Sequence, residues 1–194
     1  MPISDMGLEL IEKGYSIIPV VAGEKCPLEK GWTTKDYDKV WFDKAVVNGS
    51  AKCSVGIKSK YTPGADIDTT IEAVQELMFD YIWDHFKGDF IRWGKRPLVV
   101  FRCKTPFKKM SSKKFFDSDG EKHQLEILGD GQQYVISGTH PSGIDYRTNG
   151  DIVPVDDLPL IDVEKAQAMI AYFETVMTNQ GLSPVKKEAE KLPL

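Results

Sequence analysis

The chain has 194 residues, 41% hydrophobic and 28% charged, with 25 Lys and Arg against 29 Asp and Glu. That is enough for one core, or one core with a small companion lobe, and the formal net charge of -4 gives no global argument for nucleic-acid binding. No apolar run approaches the ~20 residues of a membrane span, and Met1-Pro2-Ile3-Ser4-Asp5 lacks the basic and apolar regions of a secretory signal.

In chain order, Ser4 is placed to cap a short helix through Leu8, Leu10 and Ile11 that stops at Gly14. Tyr15 to Val20 reads as a strand in which Pro19 marks an end or an edge. A turn-rich stretch, Gly23 to Pro27, leads to Gly31-Trp32, and Asp36 to Val47 reads as a helix. Cys53 to Ile57 and Gly64 to Asp68 read as short strands. Thr69 to Phe86 puts Ile71, Val74, Met78, Tyr81, Ile82 and His85 on one helical face and is the clearest helix. Leu98 to Phe101 and Gln124 to Leu128 read as strands. Gln133 to Ile136 is expected to pair with the latter across Gly129-Asp130-Gly131. Asp162 caps a final helix through Val163, Ala166, Met169, Ile170, Phe173 and Val176 that closes near Gly181. The Lys-, Glu- and Pro-rich stretch 181–194 reads as a linker or tail. Hairpin-connected strands mixed with helices give an α+β class. The expected organisation is a single domain over 1–180: an N-terminal α/β lobe over 1–62, a sheet over 63–160 and a closing helix over 161–180.

The cysteines, Cys26, Cys53 and Cys103, are odd in number and widely spaced, with no Cys-x-x-Cys pair. Reduced thiols in a cytoplasmic setting follow, and no zinc is expected.

Charge is segregated along the chain. From Arg92 to Phe116 there are nine Lys or Arg residues and no acid, whereas from Asp66 to Asp89 seven carboxylates face Lys87 alone. Blocks of opposite sign suggest a positive surface beside a cation site, and the plainer reading is two solvated faces that neutralise each other.

Asp66-Ile67-Asp68 carries the chemistry. In a strand, residues two apart share a face, so both carboxylates project together while Ile67 turns inward. Two such carboxylates repel unless a cation lies between them, and hard divalent ions favour the all-oxygen arrangement. The plainer reading makes Asp68 a cap for the following helix. Glu126 lies in an apolar strand, where periodicity puts it on a face with Gln124 and Leu128. It is either a third carboxylate of a two-metal phosphoryl-transfer site or an ordinary solvent-facing residue. The small residues of Gly129 to Gly131 and of Ser137 to Gly143 let backbone approach a ligand, with His140 placed to hydrogen-bond a phosphate oxygen; the plainer reading is two hairpin turns with an exposed histidine.

Taken in order, Gly14-Tyr15 to Pro19, Lys25-Cys26-Pro27, Trp32, Asp66-Ile67-Asp68, Arg92 to Arg102, Glu126 to Val135 and Gly138-Thr139-His140-Pro141 resemble the bifunctional DNA primase/polymerase N-terminal domain. That domain belongs to the archaeo-eukaryotic primase superfamily of phage and plasmid replication proteins. The likeness covers roughly residues 7 to 160. It implies a core sheet of RNA-recognition-like topology fronted by an N-terminal α/β lobe. It further implies a template-dependent nucleotidyltransferase, a DNA primase or DNA polymerase, using two divalent ions (Mg²⁺ or Mn²⁺). Asp66 and Asp68 match its first metal-binding motif and Glu126 its third-motif carboxylate. The second motif, which carries a histidine in many relatives, falls on Gly94 to Arg102 and offers Lys95, Arg96 and Arg102. With Gln132 and His140 these are the expected contacts to the triphosphate. Lys25, Lys104, Lys108, Lys109, Lys113 and Lys114, the run interleaved with Phe107, Phe115 and Phe116, would follow a single-stranded DNA template. A helicase downstream in a longer protein is a further implication. Two other readings stay open: a non-catalytic nucleic-acid-binding module, and a metal-dependent nuclease.

Overall fold

The computed structural model describes residues 3–41, 44, 53–88 and 90–185. The fold is mixed α+β with antiparallel sheets. Its first elements are α1 (Ile3–Glu12), β1 (Ile17–Val20), β2 (Ser54–Lys58), β3 (Gly64–Asp68) and α2 (Glu72–Phe86). Then come β4 (Ile91–Trp93), β5 (Leu98–Val100), β6 (Met110–Ser111), β7 (Phe115–Phe116), β8 (Lys122–Leu128) and β9 (Gln133–Ser137). β10 (Arg147–Thr148), a 3-10 turn (Val155–Asp157) and α3 (Val163–Asn179) complete them.

Two sheets result. β1, β2 and β9 form a small sheet in that order, and the large one runs β10-β4-β5-β3-β8-β6, with β7 also on β8. On one face of the large sheet, Ala65, Ile67, Val99, Leu125 and Ile127 are fully buried against the apolar stripes of α2 and α3. Val74, Met78 and Ile82 form the first stripe, and Ala166, Met169, Phe173 and Val176 the second. On the other face Leu98, Val100 and Leu128 pack against α1 and the small sheet through Leu10, Ile18, Ile57 and Ile136. Each fully buried side chain of this size contributes about 1.5–3 kcal/mol, so these two clusters carry the stability of the layers.

Several expected boundaries shift. α1 begins at Ile3, so Ser4 lies inside it, and Gly14, at φ 90°, stops it. Pro19 sits in an edge strand, as its missing N–H requires. The helix expected over Asp36 to Val47 begins at Lys39, with Asp38 accepting from the Trp41 N–H at 2.9 Å, and much of it lies outside the described residues. So does the end of the 181–194 stretch.

One expectation is overturned. β9 does not pair with β8 across Gly129 to Gly131; it pairs with β2, through Gly56↔Val135 and Ile57↔Tyr134. Gly131, at φ 83°, turns the chain out of the large sheet and into the small one. A Gly-Asp-Gly turn reads the same whether the chain folds back on its neighbour or crosses to another sheet. The lobe expected over 1–62 therefore takes its third strand from residues 133–137.

α3 starts where Asp162 accepts a hydrogen bond from the Lys165 N–H at 2.9 Å. We expect Asp162→Ala to lower the stability to chemical denaturation by about 1 kcal/mol, and Asp162→Asn to keep most of it.

Candidate functional site

β3 shows how the fold makes a cleft. Its residues on the face away from the helices are Gly64, Asp66 and Asp68, paired with Leu128, Glu126 and Gln124 of β8. The Gly64 end lies beneath the small sheet, where an added Cβ would come within 3.1 Å of the Tyr134 ring. From Asp66 onward that face turns polar. The register then sets a row across four strands: Arg92 opposite Leu98, Leu98 opposite Asp66, Asp66 opposite Glu126. Directly opposed residues stand about 4.5–5.5 Å apart at Cβ, so the Asp66 and Glu126 carboxylates are forced into proximity.

Each carboxylate is met by a protein cation. Arg92 Nη2 lies 3.8 Å from Asp66 Oδ1, Lys109 Nζ 2.7 Å from Glu126 Oε1, and Lys122 Nζ 3.0 Å from Asp68 Oδ2. Arg96 spans Asp68 and Glu121. The Arg92 side chain is only 8% exposed. Its guanidinium lies over the Tyr146 ring at 4.9 Å, Nη1 donates to the Arg96 carbonyl, and Nε has no partner among the described residues. Tyr146 also explains Gly94, since a Cβ there would fall 2.8 Å from the ring.

Burial pushes the Asp66 carboxyl above the ordinary aspartate range, opposed by the Arg92 charge and reinforced by Asp68 and Glu126. Burial likewise draws Arg92 down, against the pull of Asp66. A buried ion pair at best roughly recovers its desolvation cost. This one is set in a cleft, which makes it a candidate functional site.

A cavity of about 290 Å³ opens over the row. Asp66, Asp68, Arg92, Arg96, Lys25, Lys95 and His140 line it. A recess of about 70 Å³, walled by Gln133, Tyr134 and Tyr146, shares Lys25, Asp66 and Arg92. Lys95 and Arg96 come from the β4–β5 connection. Lys25 is carried on a loop whose carbonyl accepts from Gln133 Nε2 at 2.6 Å. Neither Lys25 nor Lys95 forms a salt bridge among the described residues. His140 Nδ1 accepts from the Ser142 N–H at 3.0 Å, which leaves the ring proton of a neutral imidazole on Nε2. Burial, then Lys25, Lys95 and Arg92, depresses the His140 pKa, so the neutral form holds through neutral pH.

The fold thus brings together Asp66, Asp68, Lys25, Lys95, Arg96 and His140, with Glu126 adjacent on the same row. Other expected site residues lie elsewhere. Arg102 is four residues beyond Leu98, about 13 Å along an extended chain, and its Nε donates to the Leu158 carbonyl at 2.8 Å. Gln132 sits in the turn before β9, and its neighbour Gln133 reaches the site instead. Lys108 and Lys113 pair with Asp130 and Glu174 at 2.7 and 2.8 Å. Lys104 and Lys114 have no salt bridge among the described residues. Phe107 and Phe115 are buried in the core, leaving Phe116, 41% exposed, as the one of the three open to a base.

Sequence reasoning missed Tyr146, Gln133 and the placement of Arg92. Phe90, Ile91, Arg92 and Trp93 show no alternation that would have marked β4. It also missed His123, whose Nδ1 lies 2.9 Å from Thr69 Oγ1 and whose Nε2 lies 3.4 Å from Asp117 Oδ2. The trio has the residue types of a nucleophile, base and orienting acid, but Thr69 and His123 are wholly buried. A nucleophile must reach its substrate, so this is a latch between β3 and β8.

Among the described residues, no three His, Cys, Asp or Glu side chains form a metal-binding group by themselves. The donors nonetheless suit a hard divalent ion, which takes one or two carboxylates and completes its shell with water and phosphate oxygens. No helix of the described residues is long and apolar enough to cross a membrane. The chain matches no protein-family model and no curated protein.

Because the folded-state pKa of Asp66 lies above the unfolded one, its contribution to stability is full below the unfolded value and is lost as pH rises through the folded value. Carboxyl ¹³C NMR should show Asp66 titrating above about 3.9. Arg92→Met should move it higher, because the opposing charge is gone while burial remains. An Asp66 titrating at or below the ordinary value would refute this account of the cleft.

Proposed function

We propose that the cleft binds a nucleoside triphosphate with divalent cations and that the protein is a template-dependent nucleotidyltransferase, a DNA primase or DNA polymerase. One observation carries this reading: Asp66 and Asp68 line one cavity together with Lys25 and Lys95, two cations that form no salt bridge among the described residues. A magnesium-bound triphosphate needs both kinds of partner, carboxylates for its metal and cations for its phosphate oxygens.

Asp66, Asp68 and Glu126 would hold the ions. When bound, such ions lower the pKa of an attacking hydroxyl and neutralise charge on the phosphoryl group and the departing pyrophosphate. Lys25 and Lys95 supply mobile ammonium donors to phosphate oxygens. His140, neutral and protonated at Nε2, donates one more hydrogen bond without adding charge. Arg92 stays on the floor, its guanidinium fixed by Tyr146, and orients Asp66. Gly94 to Arg102 falls where the resembled family's second motif carries a histidine in many relatives, and Lys95 and Arg96 would supply the phosphate contact there instead.

The fold is consistent with this reading. Within the large sheet the order β4-β5-β3-β8, with α2 between β3 and β4, is a split β-α-β arrangement. Sheets of the RNA-recognition type use that arrangement. Lys104, Lys114 and Phe116 are left to follow a single-stranded DNA template.

Purified protein incubated with primed and unprimed single-stranded DNA, labelled nucleotides and Mn²⁺ or Mg²⁺ should give metal-dependent products. Asp66→Ala and Glu126→Ala should abolish them in a folded protein. Lys95→Ala should raise KM for the triphosphate by about tenfold, the loss of one charge-assisted hydrogen bond, with a smaller effect on kcat. Strand binding without incorporation would instead define a non-catalytic module. Degradation of the strand without added triphosphate would define a nuclease.

A further inference from the structure

A second polar cavity, of about 270 Å³, shares no lining residue with the cleft. It lies where β2 ends and the chain turns toward β3. Lys58, Lys60, Tyr61, Thr62, Ser16 and Thr33 are among its walls.

Lys58 is the unusual member. Its side chain is only 10% exposed, yet the carboxylate it pairs with, Asp36, is 3.9 Å away on a side chain that is 98% exposed. The ammonium donates to the Lys35 carbonyl and lies 5.8 Å from the Tyr37 ring centroid. Those partners solvate the charge without cancelling it. Asp36 also lines the cavity, but a fully hydrated carboxylate is screened by water and compensates a buried cation poorly. Burial draws the Lys58 pKa down, the mark of a cation short of counter-charge.

The rest of the cavity extends the pattern. Lys60 brings a second ammonium, 5.4 Å from the centroid of the Tyr61 ring. Tyr61 is 53% exposed, an aromatic face open to solvent beside two cations. Ser16 and Thr33 add hydroxyl groups. A buried cation, a second cation and an open aromatic ring are the elements that bind a phosphate with an attached base.

We propose that this cavity is a nucleotide-phosphate site, distinct from the cleft, in which Lys58 and Lys60 hold the phosphate and Tyr61 carries the base. The ligand chemistry is a nucleoside monophosphate, either free or at the 5′ end of a strand. This assignment does not depend on what the cleft does.

Amide ¹H–¹⁵N NMR of the whole chain, titrated with AMP, adenosine and inorganic phosphate, tests it. AMP should shift Ser16, Thr33 and the amides of 58–62 saturably, phosphate should shift the same amides more weakly, and adenosine should reach the Tyr61 amide alone and more weakly still. Lys58→Met keeps the apolar stem buried and should weaken AMP by about tenfold or more without lowering the unfolding midpoint. Tyr61→Ala, at an exposed position, should weaken AMP and leave phosphate unchanged. Competition by a 5′-phosphorylated oligothymidylate, absent for the unphosphorylated strand, would assign the ligand to a strand end; no competition by either would assign it to free nucleotide. The proposal is overturned if AMP shifts only amides of the Asp66 cleft, or if Lys58→Met folds and binds AMP as before.

Discussion

Arg92 and Asp66 stand on strands separated by β5, with Leu98 between them, and their charges meet over that leucine on the floor of the cleft. Much around the cleft follows from holding this pair in place. The guanidinium needs a flat surface beneath it, which Tyr146 provides, and the ring in turn requires Gly94 to lack a side chain. Tyr146 is tied by its N–H to the Gly138 carbonyl, at the base of the loop that carries His140. The pair contributes little net stability once desolvation is counted. The apolar layers on either side of the large sheet supply it and allow the charges to stay where they are.

The same face of β3 is apolar at one end and acidic at the other, and this change defines the cleft. An alternating pattern of small and apolar residues with carboxylates was legible in Gly64 to Asp68, because the strand period is strict and the residues are few. The α3 cap at Asp162 was equally legible, since an aspartate before an amphipathic run has a local cause. β4 was hidden because it is three residues long and its central residue is a buried arginine, which in sequence belongs to a basic block. The pairing of β9 was hidden for a different reason: strand partners are set by distant chain, and Gly129 to Gly131 carries no record of them. Register also separates Gln133, which faces Lys25, from Gln132, which does not.

The opposed charge blocks illustrate what sequence distance conceals. Five of the nine cations between Arg92 and Phe116 meet carboxylates from elsewhere in the chain: Asp66, Asp68 with Glu121, Asp130, Glu126 and Glu174. What reads as a positive surface is largely one half of a set of ion pairs with carboxylates distant in sequence. Of the other four, Arg102 is held by the Leu158 carbonyl, while Lys95 in the cleft and Lys104 and Lys114 outside it form no salt bridge among the described residues and mark where this block still has charge to offer.

The passage of the chain from β8 into β9 also has a kinetic meaning. β1 and β2 form from neighbouring lobes of sequence, but their sheet lacks its third strand until residues 133–137 have emerged, by which point the large sheet has its central strands. Contacts between such distant segments cost loop entropy before they return any energy. The pairing of β2 with β9 therefore joins the two layers, and it sets Gln133 against the loop that carries Lys25.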